Sequence, residues 1–156
     1  MLSNFDLEKM GQRYRLPNFS VISKDQLTSR VQPCNCILNM ENEFDEKGIL
    51  NDGTHWVALY VDYDHNCFYF DSFGFAPAEC ILKYMRGSKK RITYNSRVIQ
   101  NIRSSICGLY CLTFLVYMNH RRPEQTSLNR FEEFVDMFSD DVTKNDDILK
   151  STLSKF

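Results

Sequence analysis

His55-Trp-Val-Ala-Leu-Tyr-Val-Asp-Tyr-Asp-His-Asn-Cys-Phe-Tyr-Phe-Asp71 is the stretch that decides the fold. His55 to Val61 is rich in β-branched and aromatic residues and reads as a strand, with Cys67 to Phe70 as its partner. The residues between them, Asp62-Tyr-Asp-His-Asn66, are polar and turn-like. An antiparallel hairpin centred near Tyr63 sets His55 opposite Asp71. A slip of one or two residues still delivers both groups to the same open end of the sheet.

Downstream, Cys107-Gly-Leu-Tyr-Cys-Leu-Thr-Phe-Leu-Val-Tyr-Met118 is apolar or aromatic almost throughout. It is too short to span a bilayer and reads as a helix buried on most sides. Other segments fill in around these two. The Leu16-Pro17 step interrupts any helix near the N-terminus, and Ser23 suits the cap of a short helix. Residues 34–40 fit either a strand or a short buried helix. Glu41 to Gly53 reads as a charged loop long enough to border a cleft. Pro77 suits the first turn of a helix that runs to about Met85 and stops at Gly87. Arg91–Tyr94 and Arg97–Gln100 read as extended, residues 128–138 as an amphipathic helix, and Asn145–Leu153 as a last short helix. The expected fold class is α+β, with a small mixed or antiparallel sheet packed against a central buried helix, in one domain over residues 1–156.

Composition narrows the function classes. A hydrophobic share of 43% and a charged share of 25% are ordinary for a soluble globular chain. No apolar run approaches a membrane span, and no signal-peptide pattern opens the sequence, so no membrane partner is expected. The formal charge of -1 gives no global field toward nucleic acid; the local run Arg86, Lys89, Lys90 and Arg91 leaves room for weak binding only. Six cysteines could make three disulfides, yet two of them fall inside the expected helix and the chain is large enough for an unaided core. Cys34 and Cys36 form a CxC that no second pair or spaced histidine completes into a zinc pattern. Reduced thiols, an intracellular setting, no metal and no cofactor are the expectation.

Three groups carry chemistry. Cys107 falls at the start of the central helix, where unpaired N–H groups and the macrodipole favour a thiolate, although from position and composition alone one more buried packing cysteine is the stronger reading. Gly108 permits close approach of backbone or substrate, and its N–H suits an anion hole. Cys111, one turn further on, reads as packing. His55, at a strand start, suits a general base, with Asp71 holding its other ring nitrogen. His65 lies in the hairpin turn and His120 beyond the helix, both remote from Cys107. Gln100 lies seven residues before Cys107, within reach for an amide that donates to an oxyanion.

His55-Trp56, Tyr69-Phe-Asp71-Ser-Phe-Gly-Phe75, Gln100 and Cys107-Gly-Leu-Tyr-Cys111 together resemble the adenovirus-type maturation proteases, the adenain family. More broadly they resemble the clan of cysteine proteases that cleave SUMO and ubiquitin-like proteins. The resemblance runs from about Phe19 to Met118. It implies a triad of His55, Asp71 and Cys107, with Gln100 in the oxyanion hole. Trp56, Phe73, Phe75 and Gly108 become the candidate substrate-binding residues. It also implies an endopeptidase that cuts viral or virus-like-element capsid or core precursors, in host cytoplasm or nucleus or packaged in the virion, and acting as a monomer. The alternatives are a protease of ubiquitin-like modifiers and a non-catalytic binding protein that retains the fold. Aspartate at position 71 departs from the glutamate of adenovirus enzymes and agrees with the SUMO-protease relatives. An activating peptide belongs to the adenovirus pattern, but residues 81–99 contain no cysteine to tether one through a disulfide.

Overall fold

A computed structural model describes residues 2–27, 30–41, 46–49 and 55–156. Most of the loop expected to border a cleft, residues 41–53, lies outside the described residues, as does Thr54. The elements run α1 (Asn4–Arg13), β1 (Phe19–Ser23), β2 (Cys34–Asn39), β3 (Trp56–Val61), β4 (Cys67–Phe70), α2 (Glu79–Arg86), β5 (Ile92–Tyr94), α3 (Cys107–Asn119), α4 (Ser127–Asp136) and α5 (Asn145–Leu153). The five strands form one mixed sheet in chain order, with β1–β2 and β4–β5 parallel and the two central pairings antiparallel. This is the expected α+β class, with helices on both faces of the sheet.

Alternation along β3 assigns the two faces. Trp56 and Ala58 join the core under α1, α3, α4 and α5, whereas Val57, Leu59 and Val61 join the core under α2. The central helix α3 is apolar all round because it is buried all round, with every residue from Tyr110 to Met118 in the interior. Rings build much of that core. Phe70 stacks on Phe114 at 5.0 Å and meets Phe134 edge-on at 5.2 Å, while Phe114 meets Phe131 edge-on at 5.8 Å.

The hairpin forms in a shifted register. Ala58 pairs with Phe70 and Val61 with Cys67, so the centre lies at Asp64 rather than Tyr63 and His55 does not pair directly with Asp71. The turn sets the shift: the Asp62 carboxylate accepts the backbone N–H groups of Asp64 (3.0 Å) and Asn66 (2.9 Å), and His65 takes a left-handed φ of 67°. Both site residues still leave their strands at the same sheet end.

Two other expectations change. Arg97–Gln100 is not a strand, because the N–H groups of Ile99 and Gln100 both donate to the single carbonyl of Ser72, at 2.9 Å each. The N-terminal segment holds a real helix, α1, closed by a capping box in which Ser3 accepts from the Asp6 N–H (3.2 Å) and donates back to its carboxylate. Leu16-Pro17 falls after that helix has ended. Residues 34–39 resolve as strand β2, and the Ser23 segment as a single 3-10 turn over Lys24–Gln26.

Candidate active site

His55 sits one residue before β3, its carbonyl pinned by the Met40 N–H at 3.0 Å beyond the end of β2. Asp71 sits one residue after β4. The two side chains meet at 3.0 Å, His55 Nε2 to Asp71 Oδ1, with the imidazole 22% exposed and the carboxylate 3% exposed. The Cys107 thiol lies close enough to the same imidazole to act on its titration. Because Asp71 engages Nε2, Nδ1 is the ring nitrogen left for a second partner. Burial pulls the His55 pKa down. The hydrogen bond with Asp71, the nearby Cys107 thiol and the charges of both outweigh it, and the pKa rises to about 9. The Phe73 ring flanks the imidazole at 5.1 Å between centroids.

Asp71 is fixed by residues whose sequence carries no signal. The Asn95 amide closes a two-way bridge to the Asp71 backbone, accepting its N–H at 3.1 Å and donating to its carbonyl at 2.7 Å. The Phe73 N–H donates to Asp71 Oδ1 at 2.8 Å, and the Gly74 N–H closes the turn on the Asp71 carbonyl at 2.9 Å. Gly74 is required there: its φ is +76°, and a Cβ would lie 2.8 Å from the Ser96 carbonyl oxygen.

Ser72 links this turn to Gln100. Beyond the two N–H groups on its carbonyl, its hydroxyl donates to Gln100 Oε1 at 2.6 Å. Gln100 Nε2 in turn donates to the carbonyl and hydroxyl oxygens of Ser104, at 3.0 and 3.1 Å. A donor at one end and a carbonyl at the other allow only one orientation of the amide. Further support comes from Arg97, whose guanidinium caps the end of α4 by donating to the carbonyls of Val135 (2.8 Å) and Phe138 (2.7 Å).

Cys107 opens α3, preceded by Ile106, which offers no side-chain cap, so the first-turn N–H groups are left without that partner. Cys111 is buried with its thiol pKa pushed well up by burial, in keeping with packing. His120 caps α3 at its far end with Nδ1 on the Val116 carbonyl. All six cysteines are free thiols, and no group of three or more metal-binding side chains occurs among the described residues. No helix among them is long and apolar enough to cross a membrane.

Two of the expected substrate-binding residues lie in the interior. Trp56 is 0% exposed, because its position in β3 points it at α3. Gly108 is buried as well, and a Cβ there would press on Leu7 (3.2 Å) and Trp56 (3.3 Å). Its smallness lets the helix start approach β3, the strand that follows His55. Phe73 is half-buried beside the imidazole, and Phe75 is 68% exposed two residues on.

A family model described as the Ulp1 protease family, C-terminal catalytic domain, matches residues 48–153. The SUMO-1 cysteine protease of African swine fever virus (isolate Tick/South Africa/Pretoriuskop Pr4/1996) is 26% identical over 134 residues, covering 72% of this chain and 47% of that protein. The cysteine protease of the isolate Tick/Malawi/Lil 20-1/1983 is 25% identical with the same coverage. The chain therefore spans about half the length of these curated relatives. The fold is similar to the crystal structure of the African swine fever virus protease, with a TM-score of 0.56 at 19% identity over 89% of this chain and 67% of that one. The broad clan expected from the motifs holds, and the match falls on its Ulp1 side rather than on adenain specifically. The chain belongs to the Ulp1 protease family, whose C-terminal catalytic domain it carries.

Proposed function

We propose that this domain is a thiol peptidase with Cys107 as nucleophile, His55 as general base and acid, and Asp71 as the group that orients and stabilises the imidazolium. The observation that carries this reading is the His55–Asp71 pair at 3.0 Å where one sheet end meets the start of α3, with Cys107 near enough to the imidazole to raise its pKa. His55 takes the Cys107 proton or already shares an ion pair with the thiolate, and the sulfur attacks the scissile carbonyl. The first-turn N–H groups of α3 and the Gln100 amide stabilise the oxyanion. His55 then protonates the departing amine, and a water activated by the same ring hydrolyses the thioester. Gln100 takes up this role by turning an N–H from Ser104 toward the developing charge.

The substrate class we favour is the C-terminal tail of a ubiquitin-like modifier, cleaved after small residues. The family description and the name of the viral relatives support this over maturation of capsid or core precursors. Precursor cleavage is the second reading, supported by the viral origin of those relatives. A modifier carrying a fluorogenic C-terminal amide, run beside a digest of a viral structural precursor, separates them. Release from the modifier without precursor cleavage is the expected result; the reverse pattern would exchange the two readings.

Phe73 and Phe75 are proposed to meet the substrate. Phe75 projects into solvent from the turn that carries Asp71, so Phe75→Ala should raise KM for a modifier-sized substrate several-fold, about the effect of losing one exposed aromatic contact. It should leave kcat/KM for a short peptide unchanged. Equal losses on both substrates would place Phe75 in the fold of the turn instead.

A further inference from the structure

We infer that Asp146, at the start of the C-terminal helix, is a positioning residue for the oxyanion-side amide of Gln100. The inference rests on the role proposed for Gln100, but the physical relay stands on its own contacts. The Ser104 hydroxyl donates to Asp146 Oδ1 at 3.1 Å, and the Tyr110 hydroxyl donates to the same oxygen at 2.8 Å. With its proton committed to a carboxylate, Ser104 Oγ presents only lone pairs to Gln100 Nε2. Asp146 therefore makes Ser104 an acceptor, and Ser104 holds the amide in the place from which one N–H can turn to the developing charge. Ser72 fixes the other end of that amide from the turn that carries Asp71.

The neighbouring residue strengthens the attachment. Asn145 is fully buried and donates to the carbonyl of Ile99, the residue before Gln100, at 2.8 Å, while its carbonyl oxygen accepts the Ser139 N–H at 2.8 Å. Asn145 and Asp146 thus grip both ends of the segment 99–104 that leads into Cys107. Tyr110 lies one turn into α3, so the same carboxylate joins the nucleophile's helix to the glutamine loop. Helix α5 serves as a clamp that sets the loop against the helix start. The partners lie 36 to 46 positions apart in sequence, and every contact between them is made by a side chain.

The test uses the full chain with Asp146→Ala, Asp146→Asn and Ser104→Ala. In the wild type the Gln100 side-chain amide protons should be protected from hydrogen exchange. In Asp146→Ala and Ser104→Ala their exchange should accelerate about 10-fold or more as the local hydrogen bonds loosen. Asp146→Asn retains an acceptor oxygen and should restore protection. In turnover, Asp146→Ala should lower kcat about 10-fold or more with KM nearly unchanged, as expected for a misplaced oxyanion donor. Alkylation of Cys107 by iodoacetamide needs no oxyanion donor and should keep its wild-type rate. Ser104→Ala, a small deletion, carries the same readouts if Asp146→Ala does not fold. Gln100 exchange unchanged in folded variants overturns the inference and leaves the peptidase reading intact. Alkylation and kcat falling together also overturn it, since the damage then lies at the thiol and imidazole. Loosened Gln100 in a protein whose wild type never turns over sustains the relay and removes the peptidase reading.

Discussion

Cys107→Ala is expected to abolish turnover, a loss of about 10^4-fold or more, the scale seen when a catalytic nucleophile is removed from a preorganised site. The fold should survive. Cys107 is buried at a helix start, and replacing its sulfur with hydrogen removes one small contact among those made by Leu7, Trp56 and the ring cluster behind it. A thermal midpoint close to wild type, with no hydrolysis of an amide substrate, is the expected pair of measurements. The other cysteines cannot substitute. Cys111 is fully enclosed one turn deeper, and Cys80, the exposed thiol, sits on α2 on the opposite face of the sheet. Residual turnover within tenfold of wild type would mean that the chemistry lies elsewhere, and no turnover even in the wild type would favour the non-catalytic reading.

Asp71→Asn should cost about 10^3- to 10^4-fold in kcat/KM at neutral pH, by analogy with removing the anion behind a catalytic histidine. Two effects combine. The amide fixes the wrong tautomer when its NH2 faces Nε2, and the imidazolium loses its main support. The His55 pKa stands at about 9 because Asp71 and Cys107 outweigh a burial that pulls it down. Without the carboxylate charge it should drop toward or below the ordinary 6.5. The limb of the pH–rate profile that reports loss of imidazolium should therefore move to lower pH. The same shift has a stability sign. A raised folded-state pKa contributes stability that is fully present below about 6.5 and is lost as pH rises through about 9, so wild-type stability should decline across that window. Asp71→Asn should flatten that decline. Asn95 remains to hold the backbone at position 71 through its two hydrogen bonds, so the substitution reads out charge rather than collapse of the turn. A pH profile unmoved by Asp71→Asn would argue that the carboxylate does not govern the imidazole.

What could be read from the sequence followed from local pattern. The hairpin and α3 announce themselves through alternation, turn chemistry and an unbroken apolar run, and those two elements alone bring His55, Asp71 and Cys107 to one place. What could not be read was carried by long-range polar contacts. Ser72 and Gln100, Asn95 and Asp71, Asn145 and Ile99, and Ser104 and Asp146 are separated by 28, 24, 46 and 42 positions, and none of these pairings leaves a period or spacing to detect. Trp56 and Gly108 adjoin the triad in sequence, and the pattern alone does not say which way either one faces. In three dimensions adjacency along a strand alternates between faces, and Trp56 falls on the face that the helix covers. Val98 and Ile99 mimic a strand by composition, but the neighbouring N–H groups of Ile99 and Gln100 converge on one carbonyl, which a ladder does not allow.

The most direct test of the central claim is labelling of the wild-type protein with a thiol-reactive peptide electrophile that ends in a small residue, followed by mapping of the adduct. The account predicts one adduct per chain, on Cys107, formed far more slowly in His55→Ala and absent in Cys107→Ala, while the exposed Cys80 stays unmodified at matched concentration. An adduct that favours Cys80, or labelling of Cys107 that is indifferent to His55, would contradict it.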